Sequence, residues 1–91
     1  MSANSDVETY FDLVADLQRK DRDLSPLQAG ILAAADLDIA TDSRTFSRML
    51  GIAHALVLRE LNALEERAVG LRVTKRDART MRTFFVLDER T

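Results

Sequence analysis

Gly51 is the position that most narrows what this chain can become. It stands between SRTFSRML (43–50) and a second run that recovers helical spacing from Ala53 or His54 onward. Glycine is the residue that ends a helix in the left-handed conformation and lets the next begin almost at once. In the second run, Val57, Leu61 and Leu64 fall on one narrow stripe of the helical wheel. Ala55, Arg59, Asn62 and Glu66 lie opposite, with Leu58 on the flank. The stretch Ser43–Leu64 therefore reads as two short helices joined by a tight turn, the spacing of a helix-turn-helix.

The residues before it supply two more helices. Ser5 and Glu8 have the spacing of a capping box, followed by Val7, Tyr10, Phe11, Val14 and Leu17 on one helical face. The first helix is expected over residues 5–20, its opposite face carrying Glu8, Asp12 and Asp16. Its apolar stripe, with two aromatics, either packs on the body or contributes to a dimer interface. Lys20–Asp23 is a charged linker. Ser25, Pro26 and Gln28 form a second capping box with proline at the first helical position. The second helix is expected from Pro26 to Ala35, with Leu27, Ile31 and Leu32 inward and Gly30 and the alanines permitting close helix approach. Ile39–Thr41 is a candidate edge strand. Asp42 or Ser43 caps the third helix, in which Phe46, Met49 and Leu50 are expected inward. The fourth ends near Arg67 or Val69, before Gly70.

Leu71–Lys75 alternates apolar and polar as a half-buried strand does, Arg76–Arg79 reads as a turn, and Met81–Leu87 as the return strand. A lone hairpin is marginal in water, so this one must lie against the helices. The expected fold is mainly α within the α+β class: a single winged-helix domain over residues 1–91, with about four helices and a two-stranded wing at 71–88.

The chain carries a net charge of −2, but the charges are unevenly placed. Residues 1–43 hold three basic against nine acidic side chains; residues 44–91 hold ten against six. A basic half carrying a helix-turn-helix points toward nucleic acid. One histidine, no cysteine, three glycines and no phosphate-binding loop leave little for nucleophilic or metal chemistry, so neither an enzyme nor a cofactor is expected. The absent cysteines fit a reducing cytoplasm. No apolar run approaches the ~20 residues that span a bilayer, and residues 1–10 have no signal-peptide pattern.

The candidate DNA-contacting residues are Arg44 and Arg48 on the third helix; His54, Ala55, Leu58, Arg59 and Asn62 on the fourth; and Arg72, Lys75, Arg76, Arg79 and Arg82 in the hairpin. Arg59 has the guanidinium suited to guanine or phosphate, Asn62 the amide suited to adenine, and Ala55 or Leu58 can pack on a thymine methyl. His54 reads either as a cap-region histidine or as a phosphate or base-edge contact. Arg67 and Arg90 read as solvated surface.

Three pieces, LSPLQAGIL (24–32), FSRMLGIAHALVLRELNALEER (46–67) and RDARTMR (76–82), make residues 25–88 resemble the winged-helix core of the MarR (multiple antibiotic resistance regulator) family of bacterial transcription factors. Leu64-Glu65 before the glycine and Asp77-Ala78-Arg79 in the wing fit that pattern. The resemblance implies that Arg59 contacts DNA from the recognition helix, that Arg76 and Arg79 serve the wing, and that Asp77 orders the wing's tip. Members of that family continue into long C-terminal helices that make the dimer and an effector pocket. This sequence reaches Thr91 without them, so the expectation is a truncated member, which puts a small-molecule sensor role in doubt. Ala53, Ala55, Leu56 and Leu58 also replace residues usually polar at the front of the recognition helix, and Ala68-Val69 delay the turn into the wing.

Together these features lead to a cytoplasmic regulator that binds double-stranded DNA, its fourth helix in the major groove and its wing on the backbone or in the minor groove. A homodimer on a palindrome is expected, with Val7, Tyr10, Phe11, Val14 and Leu17 as the interface and Phe84 or Val86 beside it. The alternative is a winged helix that binds protein through the apolar face of its fourth helix and the acidic face of its first.

Overall fold

A computed structural model describes residues 3–67 and 69–88. Its order is α1 (Ala3–Lys20), α2 (Pro26–Asp36), α3 (Ser43–Leu50), α4 (His54–Arg67), β1 (Leu71–Arg76) and β2 (Thr83–Leu87). Four helices and an antiparallel hairpin make an α+β fold of the winged-helix-like class. No helix among the described residues is long and apolar enough to cross a membrane.

The caps explain most boundaries. Ser25 Oγ accepts the Gln28 N–H and the Gln28 side chain accepts the Ser25 N–H, a complete capping box that starts α2. Asp42 caps α3 by accepting the Thr45 N–H at 3.0 Å. Gly51 ends α3 at φ 65°, and both its N–H and that of Ile52 donate to the Ser47 carbonyl. The Ser47 hydroxyl donates to the Ile52 carbonyl, so the turn between α3 and α4 is closed from both sides. α1 differs from expectation: it already includes Ala3, so Ser5 is a helical residue and not its N-cap. Arg90 and Ala68 lie outside the described residues.

The core gathers Tyr10 from α1, Ile31 and Leu32 from α2, Phe46 from α3, Val57, Leu61 and Leu64 from α4, Leu71 from β1 and Phe85 from β2. The stripe on α4 is thus buried as its spacing requires. Three expectations fail. Met49 and Leu50 are exposed, because α3 is only two turns long and meets the body through Ser43 and Phe46. Ile39–Thr41 forms no strand. The chain there makes one isolated bridge, Asp42 to Phe84, and the Thr41 carbonyl accepts the Phe85 N–H at 2.9 Å. The return strand begins at Thr83, since Met81 takes φ 64°, which no strand accommodates. A register shift between Val73 and Lys75 bends the hairpin against the helices.

α1 docks on α2 at Gly30. The Tyr10 hydroxyl donates to the Gly30 carbonyl at 3.0 Å, and a Cβ at position 30 would meet that hydroxyl at 2.8 Å. Gly30→Ala therefore gains about 1 kcal/mol of helix propensity but must displace a buried, hydrogen-bonded phenol, at a cost of about 1–3 kcal/mol. Net destabilisation near 1 kcal/mol is expected in urea denaturation. Tyr10→Phe removes the obstructing oxygen, so the double variant should be more stable than Gly30→Ala alone; if it is less stable, the close approach is not what fixes this glycine.

Candidate nucleic-acid interface

Glycine at the turn and the buried stripe on α4 leave its other face to solvent. Ala55, Leu56, Arg59 and Asn62 are exposed there, and Leu58 is half-buried. Among the described residues Arg59 reaches only Glu60, at 4.0 Å, with its own side chain 77% exposed. An exposed pair of that length contributes little, so the guanidinium is free to take another partner.

The wing divides its cations into two groups. Arg76 donates to Glu65 on α4 at 2.8 Å, and Arg82 Nε lies 3.2 Å from Asp42 on the N-terminal side of α3. Arg72, at the other end of β1, donates to Asp88 at 2.7 Å. These arginines fasten the hairpin to itself and to the helices. Arg79 and Lys75 are exposed, and among the described residues no carboxylate lies within ion-pair distance of either. Lys75 and Arg82 each sit 6.0 Å from the Phe84 ring centroid, so this half-buried aromatic lies within cation–π range of both.

Asp77 orders the tip through backbone. Its carboxylate accepts the Arg79 N–H at 2.9 Å, its own N–H donates to the Arg82 carbonyl, and its carbonyl accepts the Met81 N–H. Arg44 reaches across from α3 and donates to the Thr80 carbonyl at 3.0 Å. The outer side of α3 is therefore contiguous with the wing tip. Arg48, one turn further along α3, is exposed and has no acidic partner among the described residues. Met81, 57% exposed, is an apolar element at the wing tip, outside the return strand in which its spacing puts it.

Where α3, α4 and β2 meet, a polar cluster sets their relative positions. Ser43 Oγ is fully buried; it accepts the Thr83 N–H at 2.9 Å and lies 2.7 Å from His54 Nε2. The hydroxyl proton has a partner only if Nε2 accepts it, which makes His54 neutral with its proton on Nδ1, a tautomer inferred from this network. Burial, and then the charges of Arg44 and Arg82, hold the imidazole below its ordinary pKa against the opposing pull of Asp42. Burial pushes the Asp42 carboxyl up, but hydrogen bonds from the Thr45 hydroxyl and N–H, with the charge of Arg82, outweigh it and leave Asp42 lowered. Arg82 Nε itself is buried with no hydrogen-bond acceptor among the described residues, its pairing with Asp42 being one of charge alone. His54 is thus turned inward, holding the first turn of α4 against α3 and the wing. Ser43, a cap candidate from the sequence, leaves the cap to Asp42; its role in this cluster has no local signal, because its partners are 11 and 40 residues away.

This has a pH signature. The folded state binds the His54 proton less tightly than the unfolded chain, so stability is complete above the ordinary histidine value of 6.5. It falls as the pH drops from there through the lower folded pKa, by at most about 1.4 kcal/mol per pH unit for one proton. Melting between pH 7.5 and 5.5 should show this loss in the wild type and a flatter profile in His54→Gln. Parallel profiles would remove His54 from the account.

Comparison of the chain with protein-family models, with curated proteins and with solved structures found no match in any of the three.

Proposed function

We propose that this chain binds duplex DNA as a transcriptional regulator, with α4 in the major groove and the wing against the flanking backbone or minor groove. The observation that carries the reading is the set of cations left uncommitted. Arg48, Arg59, Lys75 and Arg79 are exposed with no strong acidic partner among the described residues, while the neighbouring Arg72, Arg76 and Arg82 are held in ion pairs. Free guanidinium and ammonium groups on a helix-turn-helix and its wing suit phosphate oxygens, which supply most of the affinity in such complexes. Arg59 is the one outward side chain on α4 with the geometry to read guanine, and Asn62 is exposed one turn further on. The resemblance to MarR-type winged helices, carried by residues 25–88, accords with the same reading. Two copies on a palindrome supply the affinity that one small module lacks.

The alternative, docking of a protein on α4, is favoured by one feature: Leu56 is exposed on its outer face beside half-buried Leu58. Selection from a pool of genomic duplexes by the tagged chain, followed by sequencing, separates the two. The DNA reading expects an enriched, two-fold-symmetric motif. An unenriched pool, together with partner capture lost in Leu58→Asp but kept in Arg59→Ala, would favour protein docking.

A further inference from the structure

Two groups of residues expected at a surface turn toward the body instead. Tyr10, Val14 and Leu17, part of the expected dimer contact, pack on the body. His54, expected against DNA, presents Nε2 to the hydroxyl of Ser43, which is fully buried. The second case has a functional consequence, because His54 opens α4 and Ser43 opens α3. Ser43 also accepts the N–H of Thr83, the first residue of β2. One hydroxyl therefore joins the first turns of both helices of the helix-turn-helix to the root of the wing.

The joint suits a neutral imidazole only. With His54 neutral, the Ser43 hydroxyl donates to Nε2 while its oxygen accepts the Thr83 N–H. A second proton on the ring turns Nε2 into a donor. Ser43 Oγ would then face two donors, and its own proton would be left without an acceptor in a site closed to water. The added charge finds no relief either. Arg44 from α3 and Arg82 from the wing root both oppose an imidazolium there, and the N-terminus of α4 adds positive potential. Asp42, the cap of α3, is the carboxylate that faces the ring. It is already engaged by the Thr45 hydroxyl and N–H and by the charge of Arg82. His54 is half-buried, so a charged ring has a way out to water. By leaving, it unfastens α4 from the joint.

We infer that His54 is a positioning residue for the DNA face: neutral, it fixes α4 against the root of the wing, and on taking up a proton it releases them. The inference rests on the DNA reading, because Arg59 of α4 and Arg79 of the wing tip grip one duplex together only at a fixed separation. A ring that touched phosphate would act in the opposite sense, its added charge strengthening the complex. The sign of the pH dependence therefore separates position from contact.

Two pH titrations of the wild type and His54→Gln test this. In the first, affinity for a selected duplex is measured from pH 7.5 to 5.5, with circular dichroism to follow the fold. Wild-type affinity should fall by about 5-fold or more, the lower range of an ordinary coupling between sites, with its midpoint at the pKa of the His54 ring read by NMR. His54→Gln should lose that fall, whatever its affinity at pH 7.5. In the second, without DNA, the Thr83 amide resonance of the wild type should shift with the same midpoint. A rise in affinity as His54 charges, an equal fall in both proteins, or a fall that tracks loss of helix would each overturn the inference. So would a Thr83 amide that ignores the His54 titration, whether or not any duplex binds. Failure to bind any duplex at pH 7.5 would instead remove the DNA reading, and the second titration alone would then decide whether the joint releases.

Discussion

Phe85→Ala is expected to cost about 3–5 kcal/mol, whereas Phe84→Ala, one residue away, should cost much less. Phe85 is fully buried and packs where the wing meets the helical core; its N–H bonds the Thr41 carbonyl at 2.9 Å. Truncation leaves a phenyl-sized cavity in a small core that has no second layer to collapse into it. A chain of this length has a total stability on the order of 5–14 kcal/mol, so the variant loses a large share of it. The melting temperature should fall by roughly 12–40 °C, at about 4–8 °C per kcal/mol for a small domain. Phe84 is half-buried beneath Lys75 and Arg82, and its loss removes surface packing only. The contrast tests the register of β2 directly, since a slip of one residue would exchange the two phenylalanines. Thermal melts of both variants decide it: equal losses, or a larger loss for Phe84→Ala, would mean the wing lies on its other face.

The second large effect is on binding. Arg59→Ala and Arg79→Ala should each reduce affinity for a selected duplex by about 1–3 kcal/mol, between roughly 5-fold and 150-fold. Both side chains are exposed and neither is held by a strong ion pair, so the melting temperature should barely move. The two losses should differ in kind. Arg79 stands exposed at the wing tip, and if it holds a phosphate its removal should weaken all duplexes alike and flatten the salt dependence. Arg59→Ala should also blur preference at one base pair. Arg76→Ala should cost less than either, because Arg76 already spends its guanidinium on Glu65 at 2.8 Å. Anisotropy titrations on matched and mismatched duplexes separate these outcomes. Wild-type affinity in the double variant would remove α4 and the wing tip from the interface.

What was legible in the sequence was whatever depends on local periodicity and local chemistry. Val57, Leu61 and Leu64 are buried because a helix of that spacing has one face to hide, and Gly51 takes φ 65° because the turn requires it. Ser25–Gln28 closes as its spacing dictates. What failed depended on which surface was left over after packing. Met49 and Leu50 follow Phe46 at core spacing, yet among the described residues nothing covers them once α1 has docked on α2 through Tyr10. The split among the wing's arginines was equally hidden, since Glu65, Asp42 and Asp88 become their partners only through tertiary pairing. Met81 looked like strand, and nothing local announces its positive φ.

Under the proposed function, the uncommitted cations of α3, α4 and the wing hold the DNA backbone. The most direct test is the affinity of the wild-type chain for a selected genomic duplex, measured across a range of salt concentrations. If about six phosphates are neutralised per dimer, log K should fall against log salt with a slope near −5. An affinity that does not change with salt, or no retention of any duplex at low salt, would contradict it.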